Sequence, residues 1–510
     1  MLYNKAIIIG LGLLLLGATI IPSIAQETQK TLSSSFQGDR TQASPPSMNP
    51  GTLSGYVTDS AMNPIEGAKI RISFHDTFQE NYSDTTGYYH ITDIPLCNCT
   101  KNTTCFKQGY QLVWVSLSIW EESTYDFVLP SKGNWCYVGG SGPGNYSRIQ
   151  DAIDNATDGD TVYVYPGDYK EHIEINQSIR LQGANPDTTI IDGDNANNDL
   201  ITCVGTKVFI SGFTLRNCSS GVRINHTTNC TLYRTIISTA GYGVTMRNAQ
   251  NTSIINNILL QTLKNTTGYV AIKIIASRFC TVSQNNISSW EGGILLDGTH
   301  LLITQNTIMN TYRGITDTLN SLPFLTKYTT IDKNHLNQNK EAIAFLGSTD
   351  FSITHNEITN STDLGINVKE DTYTMVRLQN VSIKDNLISD SAQGIVSENS
   401  LNMTVEGNHL LRNTLGLSFL YDQSTVVKHN TFQDNTRTVV YKWAFLPFAP
   451  YKKKVPQFDS NFWDHPRTSP YPVLGRYGIS APYFIFRPLN IFLWVTFDWH
   501  PANEPYDILR

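Results

Sequence analysis

Ile331-Asp332-Lys333-Asn334-His335-Leu336 is followed further along by Ile353-Thr354-His355-Asn356-Glu357-Ile358, and both hexapeptides read apolar, two variable residues, Asn, one variable residue, apolar. The pattern also occurs at Ile254 to Leu259, Val282 to Ile287, Ile303 to Ile308, Ile383 to Ile388, Val405 to Leu410 and Val427 to Phe432. Two degenerate copies come earlier, with Phe213 and Thr235 in the place of the Asn. From 213 onward the anchors lie 22, 22, 28, 21, 28, 22, 30, 22 and 22 residues apart, a base period near 22 with three insertions. Eight residues after most anchors comes Gly, then apolar-x-apolar, as in Gly221-Val222-Arg223-Ile224, Gly243-Val244-Thr245-Met246, Gly293-Ile294-Leu295-Leu296 and Gly416-Leu417-Ser418-Phe419.

A unit this short holds two or three brief strands of period two and cannot bury its own apolar side. Stacking copies as parallel strands about 4.8 Å apart aligns like residues and turns the Ile, Val and Leu positions into one continuous core. Asn257, Asn285, Asn306, Asn334, Asn356, Asn386, Asn408 and Asn430 then form a column, where a short amide tolerates left-handed backbone and hydrogen-bonds along a ladder. The Gly column marks a corner that needs either positive φ or close backbone approach. Parallel strands are joined by right-handed connections. The sequence therefore predicts an all-β chain, a right-handed parallel β-helix of about 10–12 coils.

Gly159-Asp160-Thr161-Val162-Tyr163-Val164-Tyr165-Pro166-Gly167-Asp168-Tyr169, Ile190-Ile191-Asp192-Gly193 and Ile210-Ser211-Gly212-Phe213-Thr214-Leu215 resemble the opening coils of pectate-lyase-like β-helix proteins. The resemblance runs from Tyr137 to Tyr441 and extends to archaeal cell-surface β-helix proteins. It implies a helix plugging the first coil, and Tyr146 to Ala156 sets Ile149, Ala152, Ile153 and Ala156 on one face. Residues 131–441 are thus assigned to the β-helix, with the capping helix at 146–156. The last coil needs a cover over its strand edges, assigned to 442–510. Within that cap, Tyr483 to Trp499 is apolar enough to suggest a membrane span, but its length and the internal Arg487 and Pro488 favour packing.

Ahead of the repeat, 51–130 reads as short alternating strands, a small β-sandwich. Gly55-Tyr56-Val57, Asn63-Pro64-Ile65-Glu66-Gly67-Ala68, Thr86-Gly87-Tyr88-Tyr89, Ile94-Pro95 and Gly109-Tyr110 resemble carboxypeptidase regulatory-like modules, which implies an accessory spacer or adhesion role. Residues 1–26 combine Lys5, an apolar run from Ala6 to Ile21 and a small-residue site ending Ile24-Ala25-Gln26, the pattern of a secretory signal peptide. Residues 27–50 read as a flexible linker. The expected destination is outside the cell or on its surface, with no integral membrane segment after cleavage.

Composition narrows the partners. Of 510 residues only 16 % are charged and the formal net charge is −6, against about 25 % charged in an ordinary domain. A nucleic-acid binder needs a basic face to neutralise phosphates, so a glycan or a neighbouring surface protein is the expected partner. Asn-x-Ser/Thr sequons, among them Asn81, Asn217, Asn229, Asn251, Asn380 and Asn402, fit a glycoprotein. Eight cysteines permit disulfides outside the cytosol. A bridge across one residue is strained, so Cys97 and Cys99 are expected to pair with Cys105 and Cys136, in either order; a zinc site is the alternative, although paired short hooks are missing.

Fold alone does not settle chemistry. Relatives that hydrolyse polygalacturonate carry Asn-Thr-Asp, Asp-Asp, Gly-His-Gly and Arg-Ile-Lys motifs, and none of the four occurs here. No catalytic residue is assigned. Outward positions beside the Asn column hold His335, His355, Glu357 and Asp385, and register sets His335 beside Glu357 and His355 beside Asp385, candidates for a divalent cation or acid/base patch against a plain solvated ladder. No other cofactor is implied. The insertions are expected to loop out and wall a groove lined by Tyr269, Phe324, Tyr328 and Tyr373. The leading reading is a secreted or cell-surface protein without catalytic activity that binds carbohydrate or builds a surface or adhesion layer. The alternatives are a polysaccharide lyase or glycosidase acting on acidic polysaccharide, and a copper-delivery accessory protein. The last follows from resemblance to the β-helix proteins that serve nitrous oxide reductase, with Met246, Met309, Met375 and Met403 as soft donors not aligned on one face.

Overall fold

Each repeat of about 22 residues folds into one coil of three short strands, and each strand pairs in parallel with its counterpart one coil on. The computed structural model describes residues 50–506 apart from 75–76, 98, 111, 130–132, 240, 262–268, 318–325, 371–377, 446–455 and 480–488. The signal segment 1–26 and all but the end of the linker lie outside the described residues. Register is kept through the stack. In the first sheet Ile303 faces Ile331, then Ile353, Ile383, Val405 and Val427. The second sheet stacks Ile308, Leu336, Ile358, Ile388 and Leu410, and the third stacks Ile294, Ile315, Ile343, Ile366 and Ile395. Alternation turns these residues inward, where they form one buried core from Val138 to Val473. The molecule is the right-handed parallel β-helix that the period implied.

The Asn column lies inside the corner between the first and second sheets. Asn356 donates from its backbone N–H and from Nδ2 to Asn386 Oδ1, both at 2.9 Å, and Nδ2 also reaches the Ile331 carbonyl one coil back at 3.0 Å. The left-handed residue is the one before the Asn, which corrects the expectation: Gln305, Lys333, His355, Asp385 and His429 have φ between 51° and 57°. The Asn is selected for its amide, which satisfies buried corner groups. At the Gly column close approach is the reason, since a Cβ at Gly293 or Gly314 would lie 2.4 Å from a backbone oxygen of the next coil. A second buried ladder, missed in the sequence, runs from Ser391 to Asn413 to Asn435. It sits five residues after each Asn anchor.

Both ends of the core are closed. The helix Ile149–Asn155 buries Ile149, Ala152 and Ile153 against the first coil, and the buried Glu171 carboxylate accepts from the Ile149 and Gln150 N–H groups at 2.8 and 3.1 Å. At the other end parallel pairing runs past the expected boundary at Tyr441, with Val427 facing Phe458 and Phe432 facing Trp463. The antiparallel pair Tyr471–Ile479 and Leu489–Asp498 follows. Most of the apolar 483–499 stretch that falls in the described residues is therefore strand. No helix among the described residues is long and apolar enough to cross a membrane.

Residues 51–129 form two four-stranded sheets around their own core, including Leu53, Val57, Ile70, Ile72, Tyr89 and Phe127. The expected cysteine pairing is not found. Cys97 is bonded to Cys99, whose Cα atoms lie 5.2 Å apart, within reach of a bridge. Cys105 and Cys136 are free. The strand Thr100–Phe106 turns Cys105 into the sandwich core, whereas Cys136 lies on the strand Trp135–Val138 of the first β-helix coil.

Candidate functional site

The histidine and carboxylate positions meet in pairs and not at one centre. His335 Nδ1 lies 3.1 Å from Glu357 Oε2 on the second sheet. His355 sits on the left-handed corner, where Nδ1 approaches Asp332 Oδ1 at 2.8 Å and Nε2 stands 3.9 Å from Asp385 Oδ2. The two pairs therefore occupy different columns. Among the described residues no group of three or more His, Cys, Asp or Glu is placed to hold a metal ion. Exposed pairs of this kind contribute about 0–1 kcal/mol.

The aromatic positions also separate. Phe324 and Tyr373 lie outside the described residues. Tyr269 stands just before the third-sheet strand Val270–Ile275 and meets Tyr242 edge-on at 5.3 Å. Tyr328 belongs to the opposite corner, beyond that sheet, where its ring packs at a tilt against His300 at 4.9 Å and His300 against Phe279 at 4.7 Å. One strand length divides them, so they do not line a common groove.

A different groove, of about 480 Å³, lies on the outer face of the third sheet. Strand alternation builds it: Val222 and Ile224 point into the core while Arg223 and Asn225 point out. Register then stacks Arg223, Thr245 and Lys273 in one column and Asn225, Arg247 and Ile275 in the next. Tyr242 and His226 complete the lining. Lys273 Nζ lies 5.0 Å from the Tyr242 ring centre, and partial burial followed by the nearby Arg247 guanidinium holds its amine below the ordinary lysine value. Arg223 pairs with Asp199. Neither Arg247 nor Lys273 has a carboxylate partner among the described residues, and the buried Asn225 Oδ1 has no hydrogen-bond partner there. His226 also borders a second hollow of about 390 Å³ lined by Asn248, Gln250 and Arg278. Such a surface can hold anionic groups and accept a hydroxyl proton. The sequence signal for it was the middle residue of each apolar-x-apolar triplet, which is Arg in Gly221-Val222-Arg223-Ile224 and Lys in Ala271-Ile272-Lys273-Ile274.

Comparison with known proteins places these coils in a family. Residues 153–322 and 262–468 match the model described as periplasmic copper-binding protein (NosD); together they span more than half of the chain, which belongs to that family. A cell surface glycoprotein of Methanothermus fervidus is 32 % identical over 97 residues, 19 % of this chain and 16 % of the relative. The human SHC SH2 domain-binding protein 1 is 31 % identical over 150 residues, 28 % of this chain and 22 % of the relative. The chain thus spans less than a quarter of either curated relative. Among solved structures, the A-module of a mannuronan C-5 epimerase from Azotobacter vinelandii aligns with a TM-score of 0.49 at 17 % identity, covering 62 % of this chain and all of that one. PfbA, a surface adhesin of Streptococcus pneumoniae, gives 0.44 at 13 %, covering 70 % and 95 %. At those scores neither likeness bears on function.

The family description raises copper, whose Cu(I) form favours thiolate and thioether donors. Cys203 and Cys230 approach to 3.9 Å, both buried, but Met246 and Met403 are spent in the core and Met375 lies outside the described residues. Cys230 is already engaged by the Thr227 hydroxyl at 2.8 Å. Two enclosed thiols with no third soft donor beside them among the described residues do not fit a copper centre.

Proposed function

We propose that the chain is a secreted or cell-surface β-helix protein that holds carbohydrate on the outer face of its third sheet without altering it. The observation that carries this is the groove between Arg223, Tyr242, Arg247 and Lys273, where ring, amide, hydroxyl and cationic groups converge as sugar recognition requires. The surface location is supported by the partial match to a cell surface glycoprotein. The N-terminal sandwich would act as a spacer, presenting the groove to a glycan or a neighbouring surface protein.

The full chain applied to an array of neutral and acidic glycans should retain a subset of them and leave them intact. Retention of none would overturn the reading. One observation favours the lyase alternative: Lys273, with its lowered amine pKa beside Arg247, could take a proton next to a carboxylate that Arg247 neutralises. Unsaturated ends released from a retained uronate polymer would establish that alternative in place of simple binding.

A further inference from the structure

We infer that the glycan held in this groove is acidic, a linear chain with carboxylate or sulfate groups on successive sugar units, and that Arg247 and Lys273 select it. The inference rests on the glycan-binding reading above and names the class of its ligand.

Charge is scarce in this chain, 16 % of residues with a net −6, yet three cations fall on one groove across three consecutive coils and none of the described residues lining it is acidic. Arg223 is balanced by Asp199. Arg247 and Lys273 are left to repel each other, and burial first, then the Arg247 charge, holds the Lys273 amine below its ordinary value. A bound anion removes that repulsion and regains what desolvation cost. The cations come one per coil, and coils repeat every 4.8 Å or so. A polymer lying along the stack therefore offers one charge to each coil when its own charges recur at a comparable spacing. The Arg fork suits planar carboxylate or the oxygen face of sulfate. A nucleic acid would instead want open aromatic faces for stacking, whereas Tyr242 already meets Tyr269 edge-on and Lys273 through its ring face.

The test is calorimetric titration of the full chain with polygalacturonate, a sulfated galactan, a neutral galactan and single-stranded RNA, in low and high salt. Wild type should bind at least one of the two acidic polymers, more weakly in high salt, and the neutral galactan far less. Which acidic polymer binds tells carboxylate from sulfate. Arg247→Gln with Lys273→Gln should weaken the acidic polymer about tenfold or more; Arg247→Lys with Lys273→Arg, which keeps both charges, should retain most of the affinity. Arg412→Gln, on a distant surface pair with Asp390, should change nothing. Melting curves identify any variant that fails to fold, in which case the charge-preserving pair measured against Arg412→Gln carries the test. Equal binding of the neutral galactan, indifferent to the double variant, would overturn the acidic-ligand inference and leave glycan binding standing. Binding of RNA alone, or of no glycan, would overturn both.

Discussion

Asn356 Oδ1 accepts from the backbone N–H and the Nδ2 of Asn334 at 2.9 and 3.0 Å, and Asn356 Nδ2 donates to Asn386 Oδ1 and to the Ile331 and Thr354 carbonyls. Asn356→Ala leaves those buried groups unpaired at about 1–3 kcal/mol, so the denaturant midpoint should fall while the slope stays unchanged. Because the residue in the left-handed region is His355 and not Asn356, no backbone strain adds to the loss. Glycan affinity of the folded variant should be unaltered. Asp317 makes a different prediction. Burial pushes its carboxyl up from 3.8 to about 8, against hydrogen bonds from Ser348 and the Leu346 N–H that pull the other way. The folded state thus keeps a proton that the unfolded state has lost between those two values, and stability should fall as pH rises from about 4 to about 8. Asp317→Asn should flatten that slope, as read by thermal melts across the range; an unchanged slope would contradict the assignment.

The Asn column needs an end, and the cap supplies it. Asn461 donates from its N–H and its Nδ2 to Asp498 Oδ2 at 2.9 and 3.0 Å, and Trp463 Nε1 reaches the same oxygen at 3.0 Å. An acceptor-only carboxylate closes a ladder of donors. Asp498→Ala should therefore loosen the last coil selectively, with faster hydrogen exchange at 457–463 and little change near the N-terminal helix. Glu171→Ala should do the converse, freeing the Ile149 and Gln150 N–H groups and costing about 1 kcal/mol, as loss of a helix N-cap does. These closures show where the sequence was readable. The coils repeat, so their period announced them, and Ile149, Ala152 and Ile153 have helical spacing. Asp498 and Glu171 occur once each, far in sequence from the groups they satisfy, and no pattern marks them. The sandwich strands Thr77–Tyr82 and Thr100–Phe106 are mostly polar, so no apolar alternation announces them.

A solenoid has only neighbour-to-neighbour contacts, so function has to be laid along its faces, where a run of successive coils can present one side chain each. The outward rows were legible in outline but not in use. His335 and Glu357 lie in the regular part of the repeat, where register sets them side by side, and among the described residues they pair with each other. Arg223, Arg247 and Lys273 lie in the irregular early coils, where an insertion upsets the count between Arg247 and Lys273, and register alone brings them together. The proposed glycan site is this run of three coils. Hydrogen–deuterium exchange of the full chain, with and without a defined acidic oligosaccharide, tests this directly. Protection should concentrate in 223–228, 242–250 and 270–279 and leave the His335 to Asp385 rows as they were. Protection confined to those later coils or to the sandwich, or no change anywhere at saturating oligosaccharide, would contradict it.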